Sequence, residues 1–224
     1  QTPNIEKLAK KGIRFSSAYA SAPVCAPSRY SIQFGQTPAR LKMIRVGMNT
    51  SHINHLTDLT IPKQLKSINP NYVTAHFGKW GMGSSPSVLG YDESDGATGN
   101  KDGVFTQKPQ GVQWENTIDE DPKKMFSITK NAIEFIDRQT ESNNPFFLQL
   151  SHYAVHSNIL MKEKTLKKYK NTSKGKYQKH VGFAAMTEDL DDSLGLLFDK
   201  IEELGIEENT YIIYTSDNGS VPVM

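Results

Sequence analysis

The stretch SAPVCAPSRYS, residues 21–31, holds Cys25, the chain's one cysteine, two residues before Pro27 and four before Arg29. A lone cysteine usually packs as a small hydrophobe. It becomes reactive only in an electropositive setting. Pro27 suits a first helical turn, so SRYSIQFG can run on as a helix with Cys25 at its N-terminus. Free N–H groups and the helix dipole favour an anion there. Arg29 would lie one turn along, able to hold an oxyanion through two parallel donors. Position 25 is therefore a candidate for nucleophilic chemistry on an anionic substrate.

Three other clusters could join it. Lys79 stands in FGKWGMG, His152 and His156 in SHYAVHSN, and Asp217 and Asn218 in YTSDNGS. Each has a plainer reading: a surface lysine in a Gly-rich turn, loop histidines, and an Asn-Gly turn between strands. The carboxylate and amide oxygens of Asp217 and Asn218 are also hard donors of the kind a divalent cation takes. His152 and His156 follow the same apolar run, and both stay candidates on the residues alone.

The elements around these residues decide between the readings. Thr2 can cap a helix with Pro3 at its first position. IRFSSAYA reads as extended, IPKQLKSI as a short helix and YVTAHFG as a strand. Residues 84–120 are rich in Gly, Ser, Asp and Asn and read as a long ordered loop region. From Pro122 to Arg138, Met125, Ile128, Ala132 and Phe135 fall at helical spacing. PFFLQLS and TYIIYTS are continuous apolar runs, the mark of strands buried on both faces. Between them, Phe183 to Leu204 step by three or four, and Gly205 ends that helix. Alternating strands and helices predict an α/β fold, a mostly parallel sheet with helices on both faces. Sites in such sheets lie at the carboxyl ends of strands. All four polar clusters follow extended or strand segments, so they are expected at one sheet edge.

Composition narrows the class. Hydrophobic residues make up 37% and charged residues 22% of the chain, which fits a globular protein and excludes a disordered one. A net charge of +2 gives no general signature of nucleic-acid binding. One cysteine permits no internal disulfide, and no apolar run reaches transmembrane length. The basic run from Lys162 to Lys179 reads as a solvated segment before it reads as a polysaccharide contact. Asn49-Thr50-Ser51 and Asn171-Thr172-Ser173 are glycosylation sequons where the source glycosylates.

Taken together, the clusters resemble a family. Cys25-Ala26-Pro27-Ser28-Arg29 looks like the C-x-P-S-R signature of the sulfatases, in the alkaline phosphatase superfamily. Gly35 matches the signature's later glycine, while Phe34 replaces its Thr and Gln33 an apolar residue. Gly78, Lys79, Trp80 and Gly83 match G-K-W-H-x-G, with Gly81 where the family carries a histidine. His156 is similar to the family's catalytic histidine, with Ser157-Asn158 where His-x-Pro is more usual. Ser216-Asp217-Asn218-Gly219 resembles S-D-N-G. Thr2-Pro3-Asn4 is also matched.

The resemblance implies an alkaline phosphatase-like fold and hydrolysis of a sulfate ester. It implies that Cys25 is converted to formylglycine by a formylglycine-generating enzyme. Arg29, Lys79 and His156 would be catalytic. Position 25, Asp217 and Asn218 would hold a divalent metal, usually Ca2+. The substrate would be a sulfated carbohydrate or aryl sulfate, with no nucleic-acid partner and no membrane span, in a periplasmic or secreted setting. Residues 1–224 would form most of the catalytic domain. An Asp-Asp metal-ligand pair, a further lysine and a C-terminal subdomain are expected outside this sequence. Two rivals stay open: a phosphate or phosphonate ester hydrolase of the same superfamily, and a catalytically dead sugar-binding relative.

Overall fold

The computed structural model describes residues 2–104 and 115–220. Its centre is a parallel sheet of three strands, β1 (Val73–Gly78), β2 (Glu93–Ser94) and β4 (Phe146–Ser151), in the order β2-β1-β4. A second parallel pair joins β3 (Glu115–Thr117) to β5 (Ile159–Met161). β1 and β4 pair in step from Val73 with Phe146 to Gly78 with Ser151. Lys79 and His152 therefore leave the sheet at the same carboxyl edge.

Helices cover both faces. On one face Val73, Ala75, Phe77, Phe146, Leu148 and Leu150 pack with α4 (Met125–Glu141), which buries Ile128, Ala132, Phe135 and Ile136. α6 (Val181–Glu203) closes that layer through Leu197 and Ile201, and Gly205 follows it at φ 64°. On the other face His76 and Phe147 meet Trp80 and Tyr91, beside Ala26, Tyr30 and Phe34 of α2 (Cys25–Phe34). The alternation along β1 and β4 follows from the period of two in a strand. The apolar runs supply both faces because both are covered.

Three peripheral helices are α1 (Pro3–Lys11), α3 (Ile61–Ile68) and α5 (Glu163–Lys170). Thr2 occupies the cap position of α1 without a side-chain bond. The cap comes from α6 instead: the buried Asp191 carboxylate accepts from Asn4 N at 3.0 Å and Ile5 N at 2.9 Å. The basic run is α5 plus exposed chain. Lys167 and Lys168 pair with Glu163 and Glu188, so the solvated reading stands. Among the described residues no helix is long and apolar enough to cross a membrane.

Two expected extended elements are not strands. IRFSSAYA leaves Ile13 and Phe15 exposed, and TYIIYTS leaves Tyr211 at 99% and Ile213 at 85% exposure. Neither pairs with any described strand. An apolar run becomes a strand only where a neighbouring edge offers hydrogen bonds. The expectation that an extended element leads to Cys25 and a strand to Asp217 is corrected accordingly: residues 13–20 and 211–215 are irregular chain. The loop region 84–120 is ordered where described, with β2, β3 and two short 3-10 turns; residues 105–114 of it lie outside the described residues.

Candidate active site

α2 begins at Cys25, as its sequence predicts, with Val24 extended before it and no side chain capping its first turn. Ser28 N reaches back to Val24 O at 3.4 Å. Pro27 has no N–H to satisfy, which suits its place in that turn. The helix is almost wholly buried from Ala26 to Phe34 and ends at Gly35, φ 61°. Its departure from the family signature is accommodated in the core. Gln33 Nε2 donates to Gln149 Oε1 of β4 at 2.7 Å, and Tyr91 Oη donates to Gln33 Oε1 at 3.0 Å. An amide can replace an apolar side chain here because both of its ends are paired.

Lys79 reaches the site because β1 ends tightly against β4. Gly78 stands at φ 91°, and a Cβ there would lie 2.1 Å from Ser151 O, so only glycine fits. Lys79 N then donates to Ser151 O at 2.7 Å. The loop clamps the next residues. Thr98 Oγ1 donates to Gly78 O and accepts from Trp80 N at 2.9 Å, while Asp95 accepts from Gly78 N at 2.7 Å. The Lys79 side chain is 4% exposed, and its ammonium interacts with Cys25. Burial and then the nearby Arg29 push its pKa down, against the pull of Cys25 and Asp217.

Arg29 ties three segments together. Its Nε donates to Asp217 Oδ2 at 2.8 Å, and its Nη1 donates to the Lys79 carbonyl. Gly81, where the family motif has histidine, sits at φ 68° with Arg29 Cδ 3.3 Å from where a Cβ would be. A side chain at 81 would be strained and would crowd Arg29.

Of the two histidines, His156 belongs to this edge and His152 does not. His152 Nε2 lies 3.0 Å from Thr129 Oγ1 of α4, and burial lowers its pKa to about 4. His156 Nδ1 lies 2.7 Å from Ser157 O. A carbonyl only accepts, so Nδ1 carries the proton of the neutral ring, and Nε2 is the nitrogen that exchanges the second one. Burial lowers the pKa of His156. The Ser157 bond and Asp217 oppose this, while the cations Lys79 and Lys123 reinforce it.

Lys123 was not among the sequence candidates. Two lysines ahead of an amphipathic helix look like a solvated turn, and nothing in their spacing signals burial. Yet Lys123 is 1% exposed, and its Nζ donates to the same Ser157 carbonyl at 3.1 Å.

Asp217 is brought to the site by Arg29, whereas the Asn218 amide donates locally to Gly219 O at 2.7 Å. Among the described residues no three His, Cys, Asp or Glu side chains gather into a metal cluster. The donors present still suit a hard cation. Arg29 occupies Asp217 Oδ2, and Asp217 Oδ1 and Asn218 Oδ1 have no partner among the described residues.

A family model described as Sulfatase matches residues 1–222. The chain is 28% identical over 254 residues to the N-acetylgalactosamine-6-sulfatase of Mus musculus, covering 98% of this chain and 46% of that protein. It is 23% identical over 264 residues to the ulvan-active sulfatase of Formosa agariphila, covering 99% and 46%. The chain thus spans less than half the length of either relative. Among solved structures, Ps i-CgsB superposes with a TM-score of 0.67 at 25% identity, over 91% of this chain and 50% of that one. A Bacteroides thetaiotaomicron protein from a study of glycosaminoglycan metabolism superposes with a TM-score of 0.73 at 21% identity, over 98% and 58%, a likeness of fold. With the family model matching from residue 1 to residue 222, the chain belongs to the sulfatase family.

Proposed function

We infer that the protein hydrolyses the sulfate ester of a sulfated carbohydrate, with position 25 supplying the nucleophile. The observation that carries this reading is the setting of Cys25. It stands at an uncapped helix N-terminus, within electrostatic reach of the buried Lys79 ammonium, with Arg29 one turn along. These are fixed donors aimed at an oxyanion, in a site that is largely buried. The carbohydrate class rests on the relatives: one is an N-acetylgalactosamine-6-sulfatase, one acts on ulvan, and Ps i-CgsB has been solved with a neocarrahexaose.

Each residue then has a role. Cys25, oxidised to formylglycine by its generating enzyme, offers a hydrate oxygen as nucleophile toward sulfur. Lys79 holds that oxygen and neutralises sulfate charge, and Arg29 fixes Lys79 and Asp217 in place. Asp217 and Asn218 would hold calcium together with the oxygen at position 25. Such a cation supplies Lewis-acid stabilisation of charge on the sulfate oxygens. His156 gives a proton to the leaving sugar oxygen. Burial and two ammonium groups keep His156 neutral in the free site. The negative charge of a bound ester favours its protonated form.

The test is mass spectrometry of the peptide containing residue 25 after co-expression with a formylglycine-generating enzyme. The expected product has lost sulfur and gained an aldehyde, and the full-length protein carrying it releases inorganic sulfate from a sulfated oligosaccharide. A peptide found only as the thiol would overturn the assignment of the nucleophile.

A further inference from the structure

Lys123 is held where an ammonium group is costly. It lies in the turn before α4, with its backbone at φ 55° and its side chain buried. An ammonium carries three donors and a full charge, and burial demands partners for both. Among the described residues its one acceptor is Ser157 O, and no carboxylate pairs with it. The charge that acts on it is another cation, Lys79. Burial and then Lys79 push its pKa down to about 8.

Two buried ammonium groups repel each other, and a pair that keeps both protons needs negative charge nearby. A clamp on the Ser157 carbonyl alone needs a donor, not a cation. That carbonyl also locates the anion: it accepts from His156 Nδ1 as well, so Lys123 and His156 are one oxygen atom apart. Lys79 acts electrostatically on both and on Cys25.

We propose that Lys123 is an anion-binding residue of the active site, whose two remaining N–H groups receive the sulfate group of the ester on the side of His156. The proposal rests on the sulfatase reading above. It adds a third cation to Arg29 and Lys79, drawn from a segment that none of the recognised motifs includes.

Lys123→Gln keeps an N–H for the Ser157 carbonyl and removes the charge, whereas Lys123→Arg keeps the charge. Inorganic sulfate is titrated calorimetrically into each full-length variant and tested as a competitive inhibitor. The Gln variant is expected to weaken sulfate binding about 10- to 100-fold, the range of a lost charged hydrogen bond. It should also raise KM more than it lowers kcat. The Arg variant should stay within about fivefold of wild type, since the charge-assisted contact survives. Unchanged sulfate affinity and KM in a folded Gln variant would make Lys123 a structural clamp and overturn the proposal.

If the Gln variant does not fold, a crystal structure of the wild-type protein with sulfate decides. An oxygen within hydrogen-bonding distance of Nζ supports the proposal; a sulfate on Lys79 with Nζ bonded to Ser157 alone overturns it. A wild-type protein that neither binds sulfate nor releases it from an ester overturns the sulfatase reading along with this one. A wild-type protein that turns over sulfate esters beside an unaffected Gln variant overturns only the role of Lys123.

Discussion

The cationic and acidic halves of the site are built in different ways. Arg29, Lys79 and Lys123 are all buried, on α2, the end of β1 and the turn before α4. Asp217 and Asn218 lie on residues 210–220, irregular chain whose Tyr211 and Ile213 face solvent. One ion pair, Arg29 to Asp217, joins the halves. A cation whose stem is packed and whose donors meet backbone carbonyls has its position fixed by the core. A carboxylate on exposed chain takes its position from the cation it meets. Arg29 is therefore the reference point for the acidic half, although it belongs to the other.

The largest effect should come from within the buried half. His156→Ala in the full-length protein should cut the rate on a sulfated sugar by about 10²–10⁴-fold, the usual value of a positioned proton donor. On an activated aryl sulfate, whose leaving group needs no proton, the loss should be far smaller. Equal losses on both substrates would make the buried half a binding device and send the search for the acid elsewhere.

Removal of the joint should come next. Asp217→Ala should lower the rate by about 10²–10³-fold, comparable to the loss of one preorganised electrostatic contact. It should weaken calcium binding in the full-length protein. Hydrogen exchange should quicken across 210–220 and stay unchanged in β1 and β4. Unchanged calcium affinity and rate would show that SDNGS is only a turn.

The smallest effect is one of stability, and it belongs to the packed half alone. Burial lowers the pKa of His76 to about 3 and that of His152 to about 4. Unfolded, both protonate near pH 6.5, so below that pH the unfolded state binds more protons. Their contribution is intact above about pH 6.5 and is lost as pH falls, by up to about 1.4 kcal/mol per pH unit for each histidine. Urea unfolding at pH 7 and pH 5 measures it, and His152→Gln should shallow the slope. A wild-type profile that is flat across this window would contradict the burial of both rings.

The two halves also differ in how far the sequence discloses them. β1, β4, α4 and α6 follow from periodicity, and the helix opening at Cys25 follows from Pro27 and the absence of a competing element. These are local properties. The segments IRFSSAYA and TYIIYTS misled because apolar content fixes what a strand wants to bury and not which edge it finds. His152 and His156 both follow β4, so position beyond the strand end could not choose between them; the resemblance to the family's histidine singled out His156. Lys123 was invisible: its burial depends on Ser157, 34 residues away in the chain, and no rule of spacing connects them. The pairing of Gln33 with Gln149 was hidden for the same reason, at a separation of 116 residues.

The carboxylate of Asp191 that serves the first turn of α1 comes from 187 residues further along the chain. On a ribosome making about 5–20 residues per second, that gap is on the order of ten seconds or more. Throughout that interval α1 lacks the Asp191 carboxylate for its leading amides, and a helix of 9 residues is too short to persist alone. The capped form of α1 must then wait until α6 has formed. A contact of such high sequence separation slows folding, and it leaves α1 open to a chaperone until α6 arrives.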